Sequence, residues 1–257
     1  MRRPPISIVV LALGLVTFWA ITSASASTPR PVVSSPMGAA KVVHSKKAPR
    51  FANPRRVLLV GDSLMVGATD AIAAQLAGSG VTTHFVGKEG TGLLTKQMWW
   101  IDLIKNEVAT FDPDVVVIES CCNYATGPAV YYRMGDGTSV RPDTKKMYQV
   151  WEVAARAAVR AATKRGAAVL WVVTPPASRS IYDGLIATRI DRFNAIYSRL
   201  GVPLVNWRAA LTVDGTFTPF LTIKGARVRV RTYDGLHITP AGDRRVATVT
   251  VAAVLGL

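Results

Sequence analysis

The chain has 257 residues, of which 49% are hydrophobic and 18% are charged. This length suits one good-sized core or two small ones, and the composition excludes a chain that is disordered throughout. A net charge of +15 would suit a nucleic-acid partner, but more than half of it comes from the nine basic residues that precede Asp62, where there is no acidic residue: Arg2, Arg3, Arg30, Lys41, Lys46, Lys47, Arg50, Arg55 and Arg56. The rest of the chain is only mildly basic and has no zinc-finger, helix-turn-helix or RNA-binding pattern, so we expect no nucleic-acid partner.

The first 26 residues have the three parts of a secretory signal. Arg2 and Arg3 precede an uncharged apolar run over residues 6–21, and Ala24-Ser25-Ala26 offers the small residues that signal peptidase requires. An uncleaved membrane anchor is the alternative, although the run is short for a span of about 20 residues. Both interpretations place the remainder of the chain outside the cytoplasm, either secreted or attached to the cell envelope. The composition, rich in Ala, Val and Arg, indicates a bacterial source.

Residues 27–55 are rich in Ser, Pro, Ala and Lys and lack hydrophobic periodicity, which predicts a flexible basic linker. A basic tail beside an apolar segment is typical of association with an anionic membrane or cell-wall surface.

From residue 56 to the end, short apolar runs alternate with helical patterns. Five strands are predicted, over residues 57–60, 81–86, 115–118, 167–173 and 202–205. Helices are predicted after the first strand as far as Leu76, over residues 143–165, on a face formed by Ile190, Phe193, Tyr197 and Leu200 with Gly201 as cap, and from Pro240 with Thr239 as N-cap. This alternation predicts one α/β domain over residues 56–257, a three-layer sandwich with a parallel central sheet.

The first polar motif, Gly61-Asp62-Ser63-Leu64, follows the first strand and opens the first helix. A serine there has its hydroxyl at the rim of the sheet and its N–H at a helix N-terminus, which favours a developing negative charge. An ordinary helix cap is the alternative interpretation.

The second motif, Asp234-Gly235-Leu236-His237, stands before the last helix. An Asp three residues before a His can hold its carboxylate against the imidazole and fix the tautomer that faces a serine. The alternative is a surface Asp beside a His that merely leads a helix.

The two motifs together, in this order and with Ile238-Thr239-Pro240-Ala241-Gly242 after the second, resemble those of the SGNH/GDSL hydrolase superfamily. The resemblance covers residues 56–257 and implies a flavodoxin-like fold and ester chemistry, with Ser63 as nucleophile, His237 as base and Asp234 as its orienting partner. It also implies an oxyanion hole formed by the Ser63 N–H, a glycine N–H and an asparagine amide.

Candidates for these last two groups follow the second and third strands. Gly92 is the expected glycine and Gly90 the alternative, because a bare N–H beside a reacting carbonyl needs room. Asn123 is the expected amide, although Cys121-Cys122-Asn123 replaces the glycine of the family's Gly-x-Asn motif.

The two cysteines, Cys121 and Cys122, are adjacent and form either a strained vicinal disulfide or two buried thiols. The three histidines, His44, His84 and His237, lack metal-ligand spacing, so neither a metal nor another cofactor is expected.

Arginines alternate over Arg227-Val228-Arg229-Val230-Arg231 as on one face of an edge strand, which predicts a hairpin with residues 217–223 beside the site. Such charges either protect the edge from aggregation or bind phosphate or carboxylate groups of a substrate. Four aromatic residues offer stacking faces for a sugar or apolar surface for an acyl chain, unless they pack in the core: Trp99, Trp100, Tyr131 and Tyr132.

Together these features predict an extracytoplasmic serine esterase or O-acyltransferase that acts on acyl esters of an envelope glycan or glycolipid. A non-catalytic envelope-binding module with the same shell is the alternative, supported by the altered third motif. A flavodoxin-like phosphate binder is a third hypothesis, which the lack of a glycine-rich phosphate loop disfavours.

Overall fold

The computed structural model describes residues 53–94, 100–121, 123, 132–133, 139–181 and 184–256. The predicted signal and nearly all of the predicted linker therefore lie outside the described residues. The described part from residue 53 onward belongs to one compact unit. Within that part, no helix has the length and apolar character needed to cross a membrane.

The domain is built around a parallel sheet with the strand order β2-β1-β3-β6-β7. Its strands are β1 (Arg56–Gly61), β2 (Thr82–Gly87), β3 (Val115–Ile118), β6 (Ala168–Val172) and β7 (Leu204–Val205). The short strands β4 (Tyr132–Arg133) and β5 (Ser139–Val140) form one hairpin, β8 (Thr212–Val213) and β9 (Thr216–Phe217) a second, and β10 (Phe220–Ile223) and β11 (Ala226–Arg229) a third. The helices are α1 (Ser63–Ala77), α2 (Trp100–Phe111), α3 (Lys145–Thr163), α4 (Leu185–Tyr197), α5 (Trp207–Leu211) and α6 (Pro240–Leu255).

The sheet is buried on both faces because alternate strand residues face two separate apolar cores. Val57 and Leu59 face a core shared with α1, α5 and α6, whereas Leu58 and Val60 face a core shared with α2 and α3. Helix α4 contributes to both cores. The predicted three-layer α/β fold is thus confirmed.

The five predicted sheet strands are all present, with ends that differ by up to two residues. The predicted helix through Leu200 ends at Tyr197, so Gly201 is not its cap but a residue of the following turn with φ +76°. Helices α2 and α5 are not among the sequence predictions. The predicted hairpin is confirmed, since Phe220 of β10 pairs with Arg229 of β11.

Candidate active site

Ser63 is the first residue of α1 and lies where β1 turns into that helix. Asp62 is the N-cap, and its Oδ1 accepts a hydrogen bond from the Leu64 N–H at 3.1 Å. The turn requires glycine at position 61, because a Cβ there would lie 2.1 Å from the Cβ of Met65. The Gly-Asp-Ser sequence therefore sets the position of the serine by sterics and by capping.

Asp62 also ties the end of β1 to the end of β3. Its Oδ2 accepts a hydrogen bond from the Cys121 N–H at 2.9 Å, and its own N–H donates to Oε2 of Glu119 at 3.1 Å. Asp62 and Glu119 are both fully buried. Burial, and then the charge of Asp62 and a hydrogen bond with it, raise the pKa of Glu119 well above its usual value. Burial beside Asp62 therefore favours the protonated form of Glu119.

The end of β3 is also held from the opposite helical layer. The Tyr197 hydroxyl donates a hydrogen bond to the Ser120 carbonyl at 2.6 Å, and the Trp151 indole N–H donates to that hydroxyl at 3.1 Å. Both rings are fully buried. A side chain of α3 and one of α4 thus fix the backbone that precedes Cys121.

The second motif forms a tight turn around one carboxylate. Oδ1 of Asp234 accepts hydrogen bonds from the Thr232 hydroxyl at 2.5 Å and from the N–H groups of Leu236 and His237 at 2.8 and 3.0 Å. Gly235 has φ +70°, and a Cβ there would lie 2.7 Å from Ser178. Burial alone raises the pKa of Asp234, but hydrogen bonds from Thr232, the His237 ring and the two N–H groups outweigh it and hold that pKa well below its usual value. The carboxylate is therefore ionised at any pH near neutral.

The three predicted catalytic side chains meet in space. Nδ1 of His237 lies 2.6 Å from Oδ2 of Asp234, and Nε2 of His237 lies 3.0 Å from Oγ of Ser63. Since an ionised carboxylate only accepts, Nδ1 must carry the proton, and Nε2 is left to accept the proton of the serine. This is the geometry that a general base needs toward its nucleophile.

Arg231 supports this turn from below and corrects one sequence prediction. It does not share a face with Arg227, which is exposed, and Arg229, which is half-buried, because it follows the end of β11 and is fully buried. Its guanidinium donates to the carbonyls of Pro176 at 2.8 Å, His237 at 3.3 Å and Leu236. Burial lowers its pKa to about 10, which still leaves it charged at neutral pH, while Asp234 acts in the opposite direction.

The two candidate oxyanion donors other than Ser63 lie in contacting loops. Nδ2 of Asn123 donates to the Thr91 carbonyl at 2.5 Å, which ties the segment after β3 to the residue before Gly92. Gly92 is buried, whereas Gly90 is exposed with φ +70°. The Asn123 amide keeps a second N–H that this bond does not use. The oxyanion roles of Ser63, Gly92 and Asn123 remain predictions.

The other sequence candidates have mixed outcomes. Trp100 is not a stacking face, because it is fully buried at the start of α2 and donates its indole N–H to Thr91 at 3.3 Å. Trp99 and Tyr131 lie outside the described residues, as does the side chain of Tyr132. Cys121 is buried and disulfide-bonded, so it is not a free thiol, and Cys122 lies outside the described residues.

In the described part of the chain, no cluster of three or more His, Cys, Asp or Glu side chains is arranged to hold a metal ion. A cavity of about 450 Å³ is lined by residues of β3, β6 and the carboxyl end of α6, among them Val115, Ala168 and Val254. It lies by the amino ends of those strands and does not include Ser63 or His237. It is therefore separate from the site built around the serine.

The comparisons with known proteins identify the family and the fold of the chain. Residues 56–253 match the family described as "Protein of unknown function (DUF459)", and the chain belongs to that family. No curated protein matches the sequence.

Solved structures show which fold the domain has. A lipase/acylhydrolase from Enterococcus faecalis superposes with a TM-score of 0.57 at 19% identity, over 79% of this chain and 96% of that one. A GDSL-like lipase from Bacteroides thetaiotaomicron superposes with a TM-score of 0.53 at 15% identity, over 78% of this chain and 87% of that one. A mutant of an acetyl-xylooligosaccharide esterase from Geobacillus stearmophilus superposes with a TM-score of 0.53 at 15% identity, over 81% of this chain and 97% of that one. The domain therefore has the SGNH/GDSL hydrolase fold.

Proposed function

We propose that the protein is an extracytoplasmic serine esterase or O-acyltransferase that acts on acyl esters of a cell-envelope glycan or glycolipid. The observation that carries the chemistry is the hydrogen-bonded series Asp234–His237–Ser63, with distances of 2.6 and 3.0 Å, at the N-terminus of α1. Residues that lie 174 positions apart come into hydrogen-bond contact, and an ordinary helix cap does not require such a contact.

In this mechanism Oγ of Ser63 attacks the acyl carbonyl while Nε2 of His237 takes its proton. The carbonyl oxygen becomes an oxyanion, which the N–H groups of Ser63 and Gly92 and the amide of Asn123 stabilise. Collapse of this intermediate breaks the ester bond, and His237 returns the proton to the leaving alcohol. Water or a second alcohol then attacks the acyl-Ser63 ester by the same steps, which gives hydrolysis or transfer respectively.

The substrate class and the location rest on separate support. Two of the structures described above are named as a lipase/acylhydrolase and as an acetyl-xylooligosaccharide esterase, so the fold accommodates both lipid and sugar esters. The apolar segment over residues 6–21 and the basic residues after it support export and association with an anionic envelope surface.

The test is labelling with a fluorophosphonate, in which a nucleophilic serine displaces fluoride from phosphorus. We expect stoichiometric labelling of the wild-type protein and none of Ser63→Ala. Ser79→Ala is the matched control, because Ser79 is exposed in the turn beyond the far end of α1 and should label as the wild type does. An unlabelled wild type would show instead a binding module with a hydrolase shell.

A second assay separates hydrolysis from transfer. The protein is given p-nitrophenyl acetate with and without xylotriose, and the acetylated sugar is measured by mass spectrometry. Acetylated xylotriose that forms with Ser79→Ala but not with Ser63→Ala identifies a transferase, whereas release of acetate alone identifies a hydrolase.

A further inference from the structure

Four side chains beside the triad form a continuous stack, which we call the arginine–aromatic ladder: Arg227, Phe220, Arg229 and Tyr233. The Arg227 guanidinium lies 3.7 Å from the centre of the Phe220 ring, and that of Arg229 lies 4.4 Å from the same centre. Arg229 also lies 4.0 Å from the centre of the Tyr233 ring. The ladder thus runs from the β10–β11 hairpin to the residue that directly precedes Asp234.

The ladder is adjacent to the chemistry. Consecutive Cα atoms are about 3.8 Å apart, so the backbone of Tyr233 adjoins the carboxylate that orients His237. The Thr232 N–H donates to the His237 carbonyl at 3.0 Å, which fixes the base of Tyr233 in the same turn. The ladder is therefore continuous, through Tyr233, with the turn that holds His237 against Ser63.

Arg227 and Tyr233 of the ladder are exposed, whereas Phe220 and Arg229 are half-buried. The Tyr233 ring is 90% exposed and contributes little to any core. Among the ion pairs of the described residues, none includes Arg227 or Arg229. Both guanidinium groups lie over one ring, within about a Debye length of each other, so their repulsion favours an anion between or beside them.

We propose that the ladder is a binding subsite for a glycan that carries carboxylate or phosphate groups. The guanidinium forks of Arg227 and Arg229 bind the anionic group, and the exposed ring of Tyr233 packs against a sugar face. As the subsite of the same enzyme, this inference rests on the proposed function. It narrows the substrate from an envelope ester to an ester on an acidic glycan.

The same charges could meet an anionic membrane, but the hairpin lacks the side chains that enter a bilayer. Its tip is Lys224-Gly225, and among the large hydrophobic side chains exposed in the described residues only Tyr233 belongs to this surface. Proteins that lie in a membrane interface present a broad apolar face beneath their basic groups. The lone ring beside two arginines fits a sugar better.

The experiment measures binding and does not depend on turnover. Ser63→Ala protein is titrated calorimetrically with hexagalacturonate, with pentamannose phosphate and with neutral xylohexaose. We expect at least one acidic oligosaccharide to bind about tenfold more tightly than xylohexaose, as a bidentate charge-assisted contact provides. Adding Arg229→Gln should remove this preference, and adding Tyr233→Ala should weaken the binding of every oligosaccharide. The control Lys224→Gln removes the same charge from the same hairpin, outside the ladder, and should change affinity less than about twofold.

Equal binding of acidic and neutral oligosaccharides would overturn the proposal. So would equal losses in Arg229→Gln and Lys224→Gln, or equal binding of polyglutamate, because both would show unspecific attraction to positive charge. Binding to phosphatidylglycerol vesicles without binding to oligosaccharides would assign the surface to a membrane instead. Fluorophosphonate labelling of the wild type separates the two claims: labelling without a ladder-dependent preference removes the subsite only, whereas the preference without labelling removes the catalytic function only.

Discussion

Replacement of Asp243 by Asn should stabilise the protein above neutral pH and leave it unchanged in acid. Asp243 lies in the first turn of α6 against α1, with its Oδ1 3.8 Å from the position that a Cβ on Gly67 would take. The residue is 8% exposed, and Oδ1 is buried without a hydrogen-bond partner in the described part of the chain. Burial raises its pKa to about 7, and the charge of Arg244 offsets this only in part.

The sign of the effect follows from the direction of this shift. A carboxyl whose pKa is higher in the folded than in the unfolded state favours folding at pH values below its pKa in the unfolded state. This advantage is lost as the pH rises through its pKa in the folded state. The window therefore runs from about pH 4 to about pH 7. Asparagine has the same shape but does not ionise, so the variant has no such loss.

The magnitude can be worked from the same shift. A rise from 3.8 to about 7 is roughly three pH units, and at about 1.4 kcal/mol per unit it costs at most about 4 kcal/mol above pH 7. A negative charge near the N-terminus of a helix returns up to about 1 kcal/mol, which the variant forgoes. We therefore expect Asp243→Asn to be about 3 kcal/mol more stable than the wild type at pH 8, or about 6–12 °C in Tm for a domain of this size.

The assay is urea unfolding followed by tryptophan fluorescence at several pH values from 4.5 to 8. Asp70→Asn is the matched control, because it makes the same change of shape and charge at an exposed position of α1. We expect that variant to change the free energy of unfolding by no more than about 0.5 kcal/mol at any pH. If Asp243→Asn gains as much in acid as at pH 8, or nothing at either, then the pKa of this carboxyl does not differ between the folded and unfolded states and the reasoning is wrong.

Three further predictions concern the turn and its neighbours. Asp234→Asn should lower kcat/KM by about 10⁴-fold, because the amide no longer enforces the tautomer, whereas retention of the wild-type rate would leave a Ser63–His237 dyad. Arg231→Lys should cost about 2–4 kcal/mol of unfolding free energy, because an ammonium cannot reach three carbonyls at once, whereas a loss below about 0.5 kcal/mol in urea titration would show that the clamp is dispensable. Asn123→Ala should lower kcat by about 10²-fold or more with little change in KM, as expected for a donor that acts in the transition state, and a purely KM effect would remove it from the oxyanion hole.

The fold was accessible from the sequence because its signals are local. The apolar strands and the helix caps at Asp62 and Thr239 each depend on a few consecutive residues, and these elements form as expected. Helix α2 also carries a readable signal, since Trp100, Ile101, Ile104 and Val108 repeat with a helical period, but a run of aromatic residues masks its start.

The site was accessible only in part. The Ser63 and Asp234–His237 motifs are recognisable as a pair, and the structure brings them together. The carboxyl pair of Asp62 and Glu119 was not predictable, because it depends on two strands aligning residues 57 positions apart. The burial of Arg231 was not predictable either, since its alternation with Arg229 suggests a shared face, and only the three carbonyls around it explain its burial.

Ser63 is the first residue of α1, His237 lies three residues before Pro240, the first residue of α6, and these two helices pack against each other. During synthesis, nearly the entire domain is therefore made after Ser63 and before His237 and the helix that follows it. A chain that ends before residue 237 contains Ser63 but lacks the base of the proposed triad. Because of this order of residues along the polypeptide, the proposed triad can form only after nearly the whole domain has been synthesised.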